Sequence, residues 1–88
     1  MELDELRAKI DVIDEGVIEL LGARAKVVAE IKRYKDENGL DVFDSSREDA
    51  LFERVRSAAV ESGLDEDFVE RVFGEIVSES KRLQSLED

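Results

Sequence analysis

Two cationic side chains lie in the apolar stripe of LLGARAKVVAEIKRYK, the segment of residues 20–35. Arg24 stands where the helical spacing of apolar residues calls for another leucine, and Lys35 follows eleven positions later. At about 100° per residue, both cations lie within ~20° of one helix face, about 16 Å apart. Neither has an acidic residue three or four positions away, whereas Lys26 and Lys32 each have one. Because burying an unpaired cation is costly, we expect an anion from outside this helix to meet them.

Polar residues also extend the apolar stripes of two later segments. Arg47 and Glu48 come one helical turn before the second stripe, and Ser80 and Gln84 continue the third at four-residue spacing. If the three stripes converge, they form a cavity with two or three cations, a carboxyl group, a hydroxyl and an amide. Such a pocket suits a small dianion that is held by charge and hydrogen bonds.

The candidate residues include no nucleophile that is paired with a base. The chain of 88 residues has no cysteine and no histidine, which excludes thiolate chemistry, the commonest general base and the usual zinc ligand. The pattern also shows no metal-binding cluster, so we expect no metal. Catalysis in this cavity would depend on substrate orientation and on electrostatic stabilisation.

Each polar residue also has a purely structural interpretation. Arg24 could pair with an acid of another helix, or extend its guanidinium to solvent. Glu48 fits a capping box with Ser45, and Arg47 could pair with Asp44. The polar pair of the last segment could mark a half-exposed helix end. The pattern shared by the three segments is therefore more informative than any one residue.

Composition limits the partners of the protein. The formal net charge is −11, and an acidic surface repels both nucleic-acid phosphates and anionic membranes. No apolar run approaches the ~18 residues that a membrane span needs. The N-terminal segment is acidic and periodic, unlike a signal peptide. We therefore expect a soluble, cytoplasmic protein that binds neither nucleic acid nor membranes.

Apolar residues recur with helical spacing along the whole chain, and no strand-like alternation interrupts them. An Asn-Gly pair provides a helix stop, and Asp65 can cap the last helix. The sequence predicts a single all-α domain over residues 1–88 with three helices, at about 3–38, 45–62 and 65–85.

The predicted first helix is long for so small a domain. About 35 residues span ~50 Å, whereas a compact domain of this size is only ~30 Å across. Its far end would have nothing of its own chain to cover it, so we expect a helix from a second copy to pack there. The alternative is a break at Gly16 or Gly22, since each glycine costs ~1 kcal/mol in a helix interior.

Three segments together resemble the all-helical (AroQ-type) chorismate mutase family. They are LRAKIDVIDEGVIELLGARAKVVAEIKRYK, VFDSSREDALFERV and ESKRLQ, and the resemblance covers nearly the whole chain. It implies an intertwined homodimer that converts chorismate to prephenate, a Claisen rearrangement on the route to phenylalanine and tyrosine. It also implies that the enzyme needs no cofactor and forms no covalent intermediate.

The resemblance assigns five residues to the substrate carboxylates and the breaking ether bond. Arg24 corresponds to the arginine that binds a carboxylate within the same chain, and Arg7 to the arginine donated from the opposite protomer. Lys35 corresponds to the lysine that reaches the ether oxygen and a carboxylate. Gln84 corresponds to the amide that donates to the ether oxygen, and Ser80 to a hydroxyl beside a carboxylate.

The resemblance assigns three further residues to the substrate hydroxyl. Glu48 corresponds to the carboxylate that hydrogen-bonds this hydroxyl, Asp44 to a position whose backbone helps to hold it, and Arg47 to an arginine behind them.

Helix geometry agrees with a cross-protomer role for Arg7. Arg7 is ~25 Å from Arg24 along one helix and ~100° around it, so one straight helix cannot bring both to a small ligand. An antiparallel second copy can. Without the resemblance, a surface pair of Arg7 with Asp4 or Asp11 would be the simpler interpretation.

Two other functions compete with the mutase interpretation. An isochorismate-pyruvate lyase has a similar fold and a related substrate, but the DSSRE segment with Glu48 resembles the mutases more. A non-catalytic dimerisation module would explain the long apolar stripe. It would leave the polar residues on the buried faces, Arg24 and Lys35 among them, unexplained.

Overall fold

A computed structural model describes residues 2–41 and 43–86. It contains three helices, α1 (Leu3–Asn38), α2 (Ser45–Glu61) and α3 (Glu66–Ser85), and no strand in the described residues. The all-α class is therefore confirmed. The bounds of α2 and α3 differ by one residue from the predicted ones, because Ser62 and Asp65 are the capping residues that flank them.

The start of α2 is set by Asp44 and not by Ser45. The Asp44 side chain is the N-cap and accepts a hydrogen bond from the Arg47 backbone N–H at 3.1 Å. The predicted capping box of Ser45 and Glu48 is therefore wrong. With Asp44 at the N-cap, Glu48 is the fourth helical residue, one position too far along for the reciprocal bond of a capping box. Its carboxylate is left for other contacts.

The other helix ends follow the expected signals. The carboxylate of Asp65 accepts hydrogen bonds from the backbone N–H groups of Asp67, at 2.8 Å, and Phe68, at 3.4 Å. Gly39 follows α1 in the left-handed conformation, with φ of 64°. A glycine adopts this conformation without strain, and so the chain can leave the helix at this point.

Helix α1 runs without interruption through Gly16 and Gly22, as predicted, so the alternative of a break at either glycine is excluded. Its 36 residues give the molecule a long axis of 55 Å, against 28 and 15 Å in the other directions. The radius of gyration is 16.3 Å, compared with about 12 Å for a compact domain of this length. A single chain is therefore elongated, with much of α1 extending beyond the other helices.

The core of one chain is small and centres on α3, which packs against both α1 and α2. Leu51 and Val55 of α2 meet Val77 of α3, and Phe52 and Phe73 pack around them. The helical spacing of apolar residues in α2 predicts a buried stripe of Leu51, Phe52, Val55, Ala58 and Ala59, but Ala58 is exposed. A core of this size is a modest source of stability for 88 residues.

The predicted apolar stripe of α1, here called the α1 seam, is exposed in a single chain. The buried residue of α1 is instead Val28, which follows the seam residue Val27 and lies on the side of the helix that packs against α3. Every seam residue is at least 41% exposed. The seam consists of Leu3, Leu6, Ile10, Ile13, Val17, Leu20, Val27, Ile31 and Tyr34.

Candidate active site

A cavity of about 340 Å³ lies where α1, the start of α2 and the end of α3 meet. Its apolar wall is formed by Val28, Ile31, Leu51, Val77 and the ring of Phe43. Seven of the eight predicted site residues line it, and they come from all three helices and from the N-cap of α2. They are Arg24, Lys35, Asp44, Arg47, Glu48, Ser80 and Gln84.

The lining carries an excess of positive charge. Four cationic side chains face two carboxylates, because Lys81 joins the predicted set of Arg24, Lys35 and Arg47. The whole chain has a formal net charge of −11. A positive cavity in an acidic protein concentrates a small anion at one place.

Arg24 is held by α3. It is half-buried, and its Nη1 donates a hydrogen bond to the hydroxyl of Ser80. That hydroxyl in turn donates to the carbonyl oxygen of Ile76 at 3.0 Å. Within residues 2–41 and 43–86, no carboxylate lies at ion-pair distance from Arg24. A half-buried guanidinium with a neutral partner is suited to receive an anion.

Glu48 projects from the first turn of α2 towards α3. Its Oε1 lies 2.6 Å from the Nζ of Lys81. Nζ of Lys81 is also 5.9 Å from the centre of the Phe43 ring, within the range of a cation–π contact. The chain therefore orients this carboxylate through an ion pair between two helices.

Lys81 and Phe43 are site residues that the sequence analysis missed. Lys81, like Arg54, has no acid three or four positions away, so this criterion was not specific enough to mark it. The partner of Lys81, Glu48, is 33 positions away. One signal was present in the sequence. Lys81 follows Val77 by four residues, so it continues the buried stripe of α3 just as Ser80 and Gln84 do.

Asp44 and Arg47 are brought together by the helix cap. The backbone N–H of Arg47 donates to the Asp44 carboxylate, which anchors the first turn of α2 at the cavity wall. The proposed structural pair between their charged groups is not seen in the described part of the chain. Instead, Arg47 is one of the residues that line the cavity.

Lys35 and Gln84 contribute from the ends of α1 and α3. Lys35 is half-buried in the last turn of α1, where its carbonyl accepts a hydrogen bond from the N–H of Leu40 at 2.8 Å. The Oε1 of Gln84 is buried and has no hydrogen-bond partner among the described residues. An unsatisfied buried polar atom costs ~1–3 kcal/mol. A 180° rotation of the amide exchanges its oxygen and nitrogen, so the same position can present a donor.

Arg7 is the predicted site residue that the fold of one chain does not bring to the cavity. It is exposed near the start of α1 and does not line the cavity. Seventeen positions separate it from Arg24 on the same unbroken helix, which corresponds to about 25 Å.

A surface ion pair on α3 shifts the pKa values of its two members. Two hydrogen bonds join the Arg82 guanidinium to the Glu79 carboxylate, at 2.6 and 2.8 Å. These bonds lower the pKa of Glu79 and raise that of Arg82 from their ordinary values. Both side chains are more than half exposed, and neither lines the cavity.

Across the described residues, no group of side chains has the composition of a metal site, and no helix is long and apolar enough to cross a membrane. The cavity does contain several cations, a hydroxyl and an amide on an apolar floor. This arrangement can bind a small dianion, orient it and stabilise charge that develops on it.

Comparisons with known proteins agree with this chemistry. The sequence model of the chorismate mutase type II family matches residues 6–85. A chorismate mutase of Methanocaldococcus jannaschii is 29% identical over 83 residues, which are 94% of this chain and 84% of the relative. A 4-amino-4-deoxychorismate mutase of Streptomyces venezuelae is 29% identical over 85 residues, or 97% of this chain and 82% of that protein.

A longer relative matches over a smaller part of its length. The T-protein of Haemophilus influenzae is 31% identical over 78 residues, which are 89% of this chain and 21% of the relative. No solved structure matches the chain significantly. The family match extends from Leu6 in the first turn of α1 to Ser85 at the end of α3 and includes every residue of the cavity. The chain therefore belongs to the chorismate mutase type II family.

Proposed function

We propose that this protein converts chorismate to prephenate as a homodimer. The observation that carries the proposal is the cavity, whose lining combines four cations with a hydroxyl and an amide on an apolar floor. Chorismate is a small dianion, and this charge pattern suits it. Family membership and the chorismate mutase among the relatives support the same substrate.

The reaction is an intramolecular rearrangement, in which the ether C–O bond breaks as a new C–C bond forms. No atom is gained or lost. Negative charge grows on the ether oxygen because C–O cleavage leads, so donors at that oxygen stabilise the transition state more than the substrate. We assign Lys35 and Gln84 to this role. Both line the cavity, and the Oε1 of the Gln84 amide is buried.

We assign the two carboxylates of the substrate to arginine side chains. Arg24, held by Ser80, would bind one of them within the same chain. Arg7 of a second copy would bind the other, and the two together would favour the folded conformer that reacts.

A second copy also explains the exposed α1 seam. Exposed apolar patches of this length mark an interaction surface, and a long helix that extends beyond its own core needs a partner to cover it. The same surface is where an antiparallel α1 would deliver Arg7. The dimer and the transferred arginine are thus supported by one feature, the length and exposure of α1.

The substrate hydroxyl would meet the start of α2. Glu48 would accept its hydrogen bond, with the backbone at Asp44 beside it and Arg47 behind. Since Asp44 caps the helix, the Glu48 side chain makes no capping hydrogen bond, and Glu48 lines the cavity.

The amino analogue is a second candidate substrate. The relative from Streptomyces venezuelae, a 4-amino-4-deoxychorismate mutase, is as similar to this chain as the chorismate mutase, at 29% identity. The two substrates differ in the group that would face Glu48. We further propose that the protein acts in the cytoplasm.

One assay tests the proposed function. The purified protein is mixed with chorismate, the loss of absorbance is followed, and the product is identified as prephenate. Isochorismate is supplied in parallel, since pyruvate release from it would indicate the lyase. Absence of turnover with both compounds and with the amino analogue would leave the dimerisation module as the better interpretation.

A further inference from the structure

Lys81 forms an ion pair with Glu48, and both residues line the cavity. Its Nζ lies 2.6 Å from Glu48 Oε1, and the two side chains are 45% and 29% exposed. The same Nζ lies 5.9 Å from the centre of the Phe43 ring. The ammonium is thus held between a carboxylate and an aromatic face, at the edge of the cavity where Glu48 lies.

The ion pair changes what Glu48 offers to a ligand. One carboxylate oxygen faces Lys81, which leaves the other as a hydrogen-bond acceptor, and the nearby ammonium offsets the negative charge. A neutral hydroxyl needs only the acceptor. An ammonium group gains most from a carboxylate whose charge is not offset, and it is repelled by a second cation close by.

We propose that Lys81 is a specificity-determining residue that favours a neutral hydroxyl over an ammonium group at the substrate position facing Glu48. The inference depends on the proposed function, which assigns Glu48 to the substrate hydroxyl. An aliphatic amine is largely protonated at neutral pH, so chorismate and 4-amino-4-deoxychorismate differ in charge at this position. Lys81 therefore selects chorismate.

A role in stability alone would not account for this arrangement. A partly exposed ion pair contributes little to folding, and Arg82, the next residue on α3, makes such a pair with Glu79 on the surface. Lys81 instead lines the cavity. Arg82 is therefore a matched control. It has a positive charge and forms an ion pair on the same helix, but it does not line the cavity.

The test measures kcat/KM for chorismate and for 4-amino-4-deoxychorismate with the wild-type protein and three variants. Lys81→Gln should raise the ratio of the amino substrate to chorismate by about tenfold, mainly through a lower KM for the amino substrate. Lys81→Arg keeps a cation near Glu48 and should keep the ratio close to that of the wild type. Arg82→Gln should leave the ratio unchanged.

A ratio for Lys81→Gln within about twofold of wild type overturns the proposal. An equal loss of kcat/KM for both substrates in Lys81→Gln would contradict the proposal, because Lys81 would then be a general anion contact. A wild-type preference for the amino substrate would also contradict it. The proposed function is judged separately by whether the wild type forms prephenate from chorismate. Circular dichroism of each variant confirms that a changed ratio comes from a folded protein.

Discussion

Arg24 on α1 donates a hydrogen bond to the hydroxyl of Ser80 on α3, across 56 positions of sequence. This contact fixes the guanidinium at the wall of the cavity. The Ser80 hydroxyl donates its own hydrogen bond to the carbonyl oxygen of Ile76. Its oxygen therefore serves Arg24 as a hydrogen-bond acceptor. The cation that interrupts the apolar stripe of α1 is thus oriented by α3, and its charge is available to an anion.

Replacing Lys35 by alanine should lower kcat far more than it changes KM. If its ammonium contacts the ether oxygen where charge develops, the loss is about 3 kcal/mol, or roughly 100-fold. Steady-state kinetics with chorismate measure it. Lys26→Ala is the control, because nine residues place Lys26 on the opposite side of the helix. Near-normal turnover of Lys35→Ala would refute the assignment.

Mixing two inactive variants tests whether Arg7 acts across the dimer. In a heterodimer of Arg7→Ala and Lys35→Ala, one site keeps both side chains if Arg7 comes from the partner. Random pairing makes half of the dimers mixed, each with one intact site, so co-refolded chains should regain about a quarter of wild-type activity. If Arg7 acted within its own chain, every site would lack one of the two residues. No activity would then return.

The α1 seam should contribute to stability only if a second copy covers it. Ile13 is 59% exposed in one chain, where truncation to alanine would change stability by less than about 0.5 kcal/mol. In a buried dimer interface the same change costs about 2–5 kcal/mol. Urea unfolding at several protein concentrations measures the change in the free energy of unfolding. The stability of the wild type should rise with protein concentration.

Val60→Ala is the matched control for this measurement. Val60 lies on α2, away from the seam, and is 60% exposed. Its truncation should have little effect. Equal, small effects of both variants, together with stability that does not depend on concentration, would contradict a dimer formed through the seam.

The cap of α2 makes a prediction that separates Asp44 from Ser45. Asp44→Ala removes the acceptor of the Arg47 N–H and should lower the free energy of unfolding by about 1 kcal/mol. Ser45→Ala should cost much less, since Ser45 is the first helical residue and not the cap. Denaturant unfolding of both variants decides between them. A larger loss for Ser45→Ala would restore the capping box.

Local signals in the sequence were reliable where the physics is local. The stop after Asn38 requires only a glycine that adopts φ of 64°, and the start of α3 requires only the Asp65 carboxylate near its own first turn. The first residue of α2 was predicted correctly, but its cap was misjudged because two adjacent residues, Asp44 and Ser45, are both good caps. Which of them is used depends on the path of the chain into the helix.

The sequence by itself determined the helices, the acidic surface, and the polar residues that interrupt or extend the apolar stripes, because these depend on residue type and helical spacing. Tertiary structure alone decided which of those residues meet. It paired Glu48 with Lys81, 33 positions apart, and Arg24 with Ser80, and it buried Val28 while leaving the α1 seam exposed. Such choices depend on how one helix packs against another, and no spacing within a single helix specifies that.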